Sequence, residues 1–501
     1  MTAVGANPVD DPAFRPWPAL WALCLGFFMI LIDTTIVSVA TPAIIAGLHA
    51  GVNAVIWVTS AYLLAYAVPL LITGRLGDRF GPKNLYLVGL VLFTGASAWC
   101  GFTGTIKELI VARVFQGLGA AMMTPQTMAV ITRIFPPTRR GQAMGLWGAV
   151  AGVAVLVGPL LGGVLIDTLG WEWIFFINVP IGVVGFGLAW RLVPELPTNP
   201  HRFDLLGVAL SAVGMFLVVF GIQEGQTYHW SGGIWGLICA GVVVLALFVY
   251  AQHRNSGEPL LPLALFRDRN FSLANAAITT VGFAITALGF PLMLYAQLVE
   301  DLSPMRSALL FVPMAVISGA LAPFVGRLAD RFHPRWIAGI GLVCVPISLV
   351  WLSAVMHPSE AILWLVLPLA LLGIGNGFMW SPLSTTATRN LPLHQAGAGS
   401  GVYNTTRQVG AVLGSAAIAV LIQNRLAAHL PGSASSASAG ATAKLPPALH
   451  AGFSDAMAQS MLLPAAVIVL GLIAALFFAT PGHLKRAAAP PSEKEAVPVQ
   501  D

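Results

Sequence analysis

Three ionisable residues stand where charge is costly. Asp33, Arg113 and Arg407 each fall inside a long apolar run. A charge at the centre of a bilayer costs at least ~2.5–3.5 kcal/mol on insertion scales, so such a residue reads as functional by default. Asp33 is the only acidic residue deep within any run. A carboxyl there can take up and release a proton away from water, which suits a proton carrier. The competing reading is a neutral, hydrogen-bonded packing residue. At 1.5 Å per helical residue, Asp33 lies ~20 Å from one face and Arg113 ~10 Å from the other. In a ~30 Å core these depths are similar, so the two can pair or compete for one cavity. Gln116 follows Arg113 by one turn. Arg407 falls near the midplane with Asn404 and Gln408 beside it, and either contacts substrate or holds helices through carbonyls. Asn376 and Trp380, four residues apart, are further cavity candidates. Trp57 and Tyr62 can serve as aromatic contacts or fill ordinary core and interfacial positions.

The elements that must position these residues are membrane helices. Of 501 residues, 57% are hydrophobic and 9% charged, with a mean hydropathy of +0.82. Soluble domains carry roughly 25% charged residues. A soluble globule, a disordered chain and a fibrous repeat are therefore excluded. The net charge of +5 does not imply nucleic acid, because its placement follows membrane topology. Fourteen runs of about 20 residues or more lie near 18–45, 54–74, 83–104, 107–134, 140–166, 172–193, 204–223, 230–252, 270–298, 304–326, 335–356, 360–388, 397–427 and 456–480. They are too long and continuous for the alternating strands of a barrel. The expected fold is an all-α polytopic membrane protein with fourteen transmembrane helices. With both termini placed in the cytoplasm, 19 of the 25 basic residues fall inside. Only Lys107, Arg306, Arg425 and Lys444 fall outside, which satisfies the positive-inside rule. Residues 1–17 form a cytoplasmic segment, 428–455 an external loop and 481–501 a cytoplasmic tail. Four isolated cysteines read as packing residues, and no cluster has metal-ligand spacing.

The chain repeats itself. Gly74-Arg75-Leu76-Gly77-Asp78-Arg79-Phe80-Gly81-Pro82 matches Gly326-Arg327-Leu328-Ala329-Asp330-Arg331-Phe332-His333-Pro334 at seven of nine positions, 252 residues apart. Gly117, Gly119, Gly145 and Gly158 match Gly373, Gly375, Gly401 and Gly414, each 256 residues on. A six-helix half at 18–195 therefore recurs at 256–480, related by a pseudo-twofold, with two helices inserted at 196–255. Two like-oriented halves mark a rocking transporter with its site between them. The nonapeptides read as short turns between antiparallel helices. Asp78 and Asp330 can accept from backbone N–H groups at a helix start or pair with a nearby arginine. Topology alone asks for basic loops and not for a repeated acid. Gly145, Gly148, Gly152, Gly158, Gly162 and Gly163 line one run, where small residues allow close helix approach and Pro159 favours a bend. This is either a moving interface or tight static packing.

These blocks resemble the major facilitator superfamily in its fourteen-span drug:proton antiporter branch, over roughly 18–480. Asp33-Thr34-Thr35-Ile36-Val37, running to Pro42, is similar to the branch's first-span signature. Gly74–Lys83 resembles the superfamily's most general motif. Arg113-Val114-Phe115-Gln116-Gly117-Leu118-Gly119 resembles the arginine motif associated with proton coupling. Gly152, Gly158-Pro159 and Gly162-Gly163 resemble the motif associated with exporters. Trp171 to Pro180 resembles the sixth-span entry, with Glu172 where arginine is usual; Ser38 stands where asparagine is common. The resemblance implies a proton-coupled antiporter exporting hydrophobic drugs or other small molecules. Asp33 and Arg113 would couple protons, and Gly74, Asp78, Arg79, Gly158, Pro159, Asp330 and Arg331 would serve conformational change. A lipid or metabolite exporter, or a proton-coupled importer, is the alternative. With one intramembrane acid, neutral or monocationic substrates fit better than dications; the arginines leave weak anions open. No phosphate-binding loop, nucleophile elbow or zinc-protease motif occurs, so neither an ATP-driven pump nor an enzyme is expected. The expected partners are substrate, protons and the bilayer of the cell membrane. No cofactor and no metal are expected, and the chain is expected to be a monomer.

Overall fold

The structure, a computed structural model, describes residues 14–50, 52–198, 204–225, 227–255, 259–358, 362–429 and 445–480. Most of the proposed N-terminal segment, much of the external loop and the whole tail at 481–501 lie outside the described residues. Helices follow one another with short connections: α1 (Pro16–Gly47), α2 (Val52–Ala67), α3 (Leu70–Phe80), α4 (Pro82–Phe102), α5 (Ile106–Ile134), α6 (Arg140–Leu169), α7 (Trp173–Phe176), α8 (Asn178–Leu192), α9 (Leu205–Glu224) and α10 (Gly232–Arg254). Then come α11 (Arg269–Leu298), α12 (Pro304–Leu309), α13 (Val312–Arg331), α14 (Pro334–Val355), α15 (Val366–Arg389), α16 (Ala396–His429), α17 (Pro447–Ser460) and α18 (Leu462–Leu476). No strand occurs among the described residues.

Among these, 11 helices are long and apolar enough to cross a membrane, or 12 when α2 and α3, bent by 46° at their junction, count as one. This falls short of the fourteen spans expected. α5 is 29 residues long but carries Lys107, Glu108, Arg113 and Arg133, which lower its hydropathy. α6 is 30 residues long and begins at the charged Arg140.

The nonapeptides are not turns. Gly74–Phe80 is the last part of α3 and Gly326–Arg331 the last part of α13. Each helix simply outruns its apolar stretch. The reversal after α3 is Gly81 alone, at φ +88°, a conformation that glycine adopts without penalty. Pro82 then opens α4, where its missing N–H costs nothing. Arg75, Asp78 and Arg79 are therefore presented on a rigid helix.

Packing partners repeat along the chain. α1 packs on α6 and α8, α4 on α5 and α8, and α2 on α5. Further on, α11 packs on α16 and α18, α14 on α15 and α18, and α13 on α15. Two seams join the sets, α6 against α13 and α3 against α16. The pair α9–α10 stands at the periphery. Only 17% of the apolar window of α10 is buried, so it faces surroundings that must themselves be apolar. Asp204 fastens this pair. It caps α9 by accepting from the Gly207 N–H at 2.9 Å, and it accepts from Gln252 Nε2 of α10 at 2.6 Å. Burial pushes this carboxyl up, but hydrogen bonds from Gln252, Gly207, Leu260 and Asn255 outweigh it, and its pKa lies below the ordinary value.

Candidate functional site: a buried ion pair and two carboxylate clasps

Asp33 and Arg113, 80 residues apart, meet inside the bundle. Arg113 Nη1 donates to Asp33 Oδ2 at 2.5 Å, and both side chains are 0% exposed. Helices supply the rest of the cage. Gln116 of α5 donates to Asp33 Oδ1 at 2.8 Å and accepts from Arg113 Nη1 at 2.7 Å. Asn178, the first residue of α8, donates to the same Oδ1 at 3.4 Å and to Ser97 Oγ at 3.0 Å. Arg113 Nε donates to the Val58 carbonyl of α2 at 3.2 Å. The guanidinium lies 4.1 Å over the Tyr62 ring, which is itself fully buried. A desolvated cation over an aromatic face gains about 2 kcal/mol or more. A buried ion pair is tolerated only with good geometry and further hydrogen bonds, and here both conditions are met. Arg113 Nη2 has no partner.

The sequence singled out Asp33, Arg113, Gln116 and Tyr62; the structure brings all four together, with Tyr62 under the arginine and away from any open surface. Asn178, Ser97 and Val58 were not singled out. Asn178 lies within the Trp171–Pro180 block and was the one with a signal. The remaining cavity candidates separate. Trp57 faces Phe220 of α9, ring centroids 5.8 Å apart, on the side of the inserted pair. Asn404 is fully buried, donating to Ser400 O at 2.9 Å and lying 3.8 Å from the Met128 sulfur of α5. Arg407 is part-buried; its Nη2 reaches Tyr66 Oη at 3.4 Å and its Nε has no partner. Asn376 is buried with its Oδ1 unpartnered, and Trp380 lies against the Gly148 position of α6.

The two repeated aspartates do the same thing crosswise. Asp78, on α3, accepts from the backbone N–H groups of Gly397 at 3.0 Å and Ala398 at 2.9 Å, the first turn of α16. Asp330, on α13, accepts from Gly141 at 2.8 Å and Gln142 at 3.2 Å, the first turn of α6. A helix N-terminus has unsatisfied donors and partial positive charge, so a carboxylate is favoured there. We call each arrangement a clasp. Arg133 donates to Asp78 at 2.6 Å and Arg389 to Asp330 at 3.5 Å. These two arginines join the clasps. Arg79 lies beside the Phe80 ring, and Arg331 is exposed. Glycines permit the approach. A Cβ on Gly74 would stand 2.6 Å from Gly397 O, and one on Gly141 would meet the Gly326 carbonyl. α6 stays helical through Gly158-Pro159, and a Cβ on Gly158 would collide with Thr35 of α1.

This arrangement can hold a proton at one sealed carboxylate and latch two sets of helices at one end of the bundle. The Major Facilitator Superfamily model matches residues 23–415. The chain belongs to the major facilitator superfamily. A major facilitator superfamily member of Mycobacterium tuberculosis, called an uncharacterized transporter, is 54% identical over 483 residues, 95% of this chain and 83% of that one. A tetracenomycin C resistance and export protein of Streptomyces glaucescens is 34% identical over 436 residues, 86% and 80% of the two chains. The solved human organic anion transporter MFSD10 shares the fold, with a TM-score of 0.61 at 14% identity, covering 91% of this chain and 99% of the other. The protein is thus an integral membrane transport protein, with the superfamily's fold and the relatives of its drug-efflux branch.

Proposed function

We propose that this transporter is a proton-coupled antiporter that exports hydrophobic small molecules from the cytoplasm. It would do so as a fourteen-span monomer with two six-helix halves, two inserted helices and both termini inside. The basic bias supports the orientation, and the export relative supports the direction. The observation that carries the reading is the single mid-bundle carboxylate, sealed from water against an arginine that has other places to go. A proton on Asp33 cancels the charge pair. Arg113 then retains Gln116 Oε1, Val58 O and the Tyr62 face. Asp33 belongs to α1, whose Thr35 and Ile36 abut Gly158 and Gly162 of α6. α6 in turn begins in the Asp330 clasp. A shift of α1 on protonation therefore bears directly on a helix that latches the halves, a contiguous packed route. With a single intramembrane acid, neutral or monocationic compounds fit better than dications, and Arg407 leaves room for weakly acidic ones.

The test is Asp33→Asn in proteoliposomes, read as substrate-induced proton movement. Asparagine keeps the size and most hydrogen bonds but has no group that ionises by releasing a proton. We expect the signal to vanish while folded protein is still recovered. Equal signals from both proteins would place the proton elsewhere.

A further inference from the structure

The inserted pair encloses something besides itself. Between α9–α10 and the second set of helices lies a cavity of about 630 Å³. Its walls are Ile222 of α9, Trp235 of α10, Leu413 and Leu421 of α16, and Leu463 of α18. It is not part of the ion-pair site and opens on the outside of the bundle, since Trp235 and Leu413 are 53% and 41% exposed. Polar groups are confined to one end. There Trp230, in the α9–α10 connection, holds its ring over Gly225 and lies tilted by 36° against Trp235, ring centroids 5.6 Å apart. Asn424 lines the same cavity, and Arg425, one residue on, is an exposed cation.

We propose that this cavity is a binding site for one membrane phospholipid. Its acyl chain would fill the apolar groove, and its ester and phosphate oxygens would accept from Asn424 and Arg425 at the polar end. Three observations select that occupant. The groove belongs to an integral membrane protein and faces outward, where acyl chains are the abundant apolar solvent. Indoles of this kind sit at the depth of lipid headgroups, with the ring in hydrocarbon and the N–H toward oxygen. Asn424 lines the polar end of the groove next to the exposed Arg425, and both are donors that ester and phosphate oxygens match. Arg425 supplies charge complementarity to an anionic headgroup. The site also gives the inserted helices a task. α9 touches α16 sparsely, so a bound lipid completes the wall between the peripheral pair and a helix whose first turn sits in a clasp. The proposal does not depend on proton coupling.

The test uses the full chain in liposomes containing phosphatidylglycerol with a photoactivatable acyl chain, with labelled peptides mapped by mass spectrometry. Labels should concentrate on residues 413–424 and the start of α10, and Ala417→Trp, which fills the groove, should remove most of them. A juxtamembrane arginine is worth about 1 kcal/mol toward anionic lipid, so phosphatidylglycerol should label about fivefold better than phosphatidylcholine, and Arg425→Gln should erase that preference. Labels spread evenly round the apolar belt, or unchanged in Ala417→Trp, would overturn the proposal. So would displacement of the label by a hydrophobic drug at equimolar amounts, which would make the occupant a small molecule. If Ala417→Trp fails to fold, the wild-type map decides alone. Loss of proton coupling in Asp33→Asn bears on none of these readings.

Discussion

Tyr62 contributes mainly through the face of its ring. The face is what Arg113 rests on, and it matters most when Asp33 is protonated and the arginine has lost its counter-charge. Tyr62→Phe keeps the face, so transport should stay near wild type. Tyr62→Leu removes it, and proton-driven export should fall about tenfold or more, the equivalent of a desolvated cation–π contact. Similar losses in both variants would show that the hydroxyl is the working part. The pair itself is asymmetric. Arg113→Ala leaves a buried carboxylate with only two neutral amide donors, and removing one partner of a buried pair costs about 3–5 kcal/mol. Asp33→Asn leaves the arginine a carbonyl, an amide oxygen and a ring. The melting temperature in detergent should therefore drop further for Arg113→Ala than for Asp33→Asn. At this scale the sequence was most legible where charge sat in an apolar run. Asn178 and Ser97 were less so, because an uncharged polar residue in a membrane helix is common and has no pattern of its own.

At the scale of the helix, close approach and capping decide. Gly74 lies against Gly397 and Gly401, with no room for a side chain. Gly74→Val should part α3 from α16 and abolish transport, while α3 itself remains helical. Cysteine labelling at that end of the bundle should rise; unchanged labelling would mean that the seam tolerates the extra volume. Asp78→Asn should impair transport more than Asp330→Asn does. Each loses a carboxylate at a helix start, but Asp78 has the closer arginine, at 2.6 Å against 3.5 Å. Flux at matched expression measures this. Asp204→Ala removes an N-cap and should cost about 1 kcal/mol, seen as earlier thermal release of the α9–α10 pair. Because the Asp204 pKa is lowered by folding, its contribution is present at neutral pH and is lost as pH falls through that lowered value. Element positions followed from hydropathy, but the character of the nonapeptides did not. Arg75, Asp78 and Arg79 look like a loop because they are charged, yet nothing between Leu70 and Phe80 breaks a helix. The partners of the clasps were illegible for a different reason. Gly397 and Ala398 take part through backbone N–H groups, which every residue except proline has.

Over the whole molecule, the two clasps sit at the same end and cross in opposite senses. Each set of helices gives one carboxylate and receives one. Opening that end must break both, so fixing either seam should stop the cycle. Leu71→Cys with Val402→Cys, in a chain otherwise free of cysteine, places two thiols in the apolar cluster that α3 and α16 share, where cysteine is smaller than either residue it replaces. Oxidation should halt transport, and reductant should restore it. Full activity in the oxidised protein would show that the seam never opens. The repeated packing of helices was legible because the nonapeptide recurs almost letter for letter. The crossed pattern was not, since a repeat states what recurs and not which copy grips which.

Coupling through one mid-helix carboxylate, as proposed for Asp33, would also fix an electrical quantity. A cycle that returns one proton for each neutral molecule carried out moves one elementary charge across the membrane. That charge is worth about 2.3 kcal/mol per 100 mV. The transporter should therefore act as a small battery-driven motor whose current reads its turnover. Adding a neutral substrate to a voltage-clamped membrane should start an inward current. Each tenfold rise in the opposing gradient should shift its reversal potential by about 59 mV, the value for a single charge. A shift half as large would mean two charges per molecule, and with them a second titrating group that the helices carry in some place other than beside Arg113.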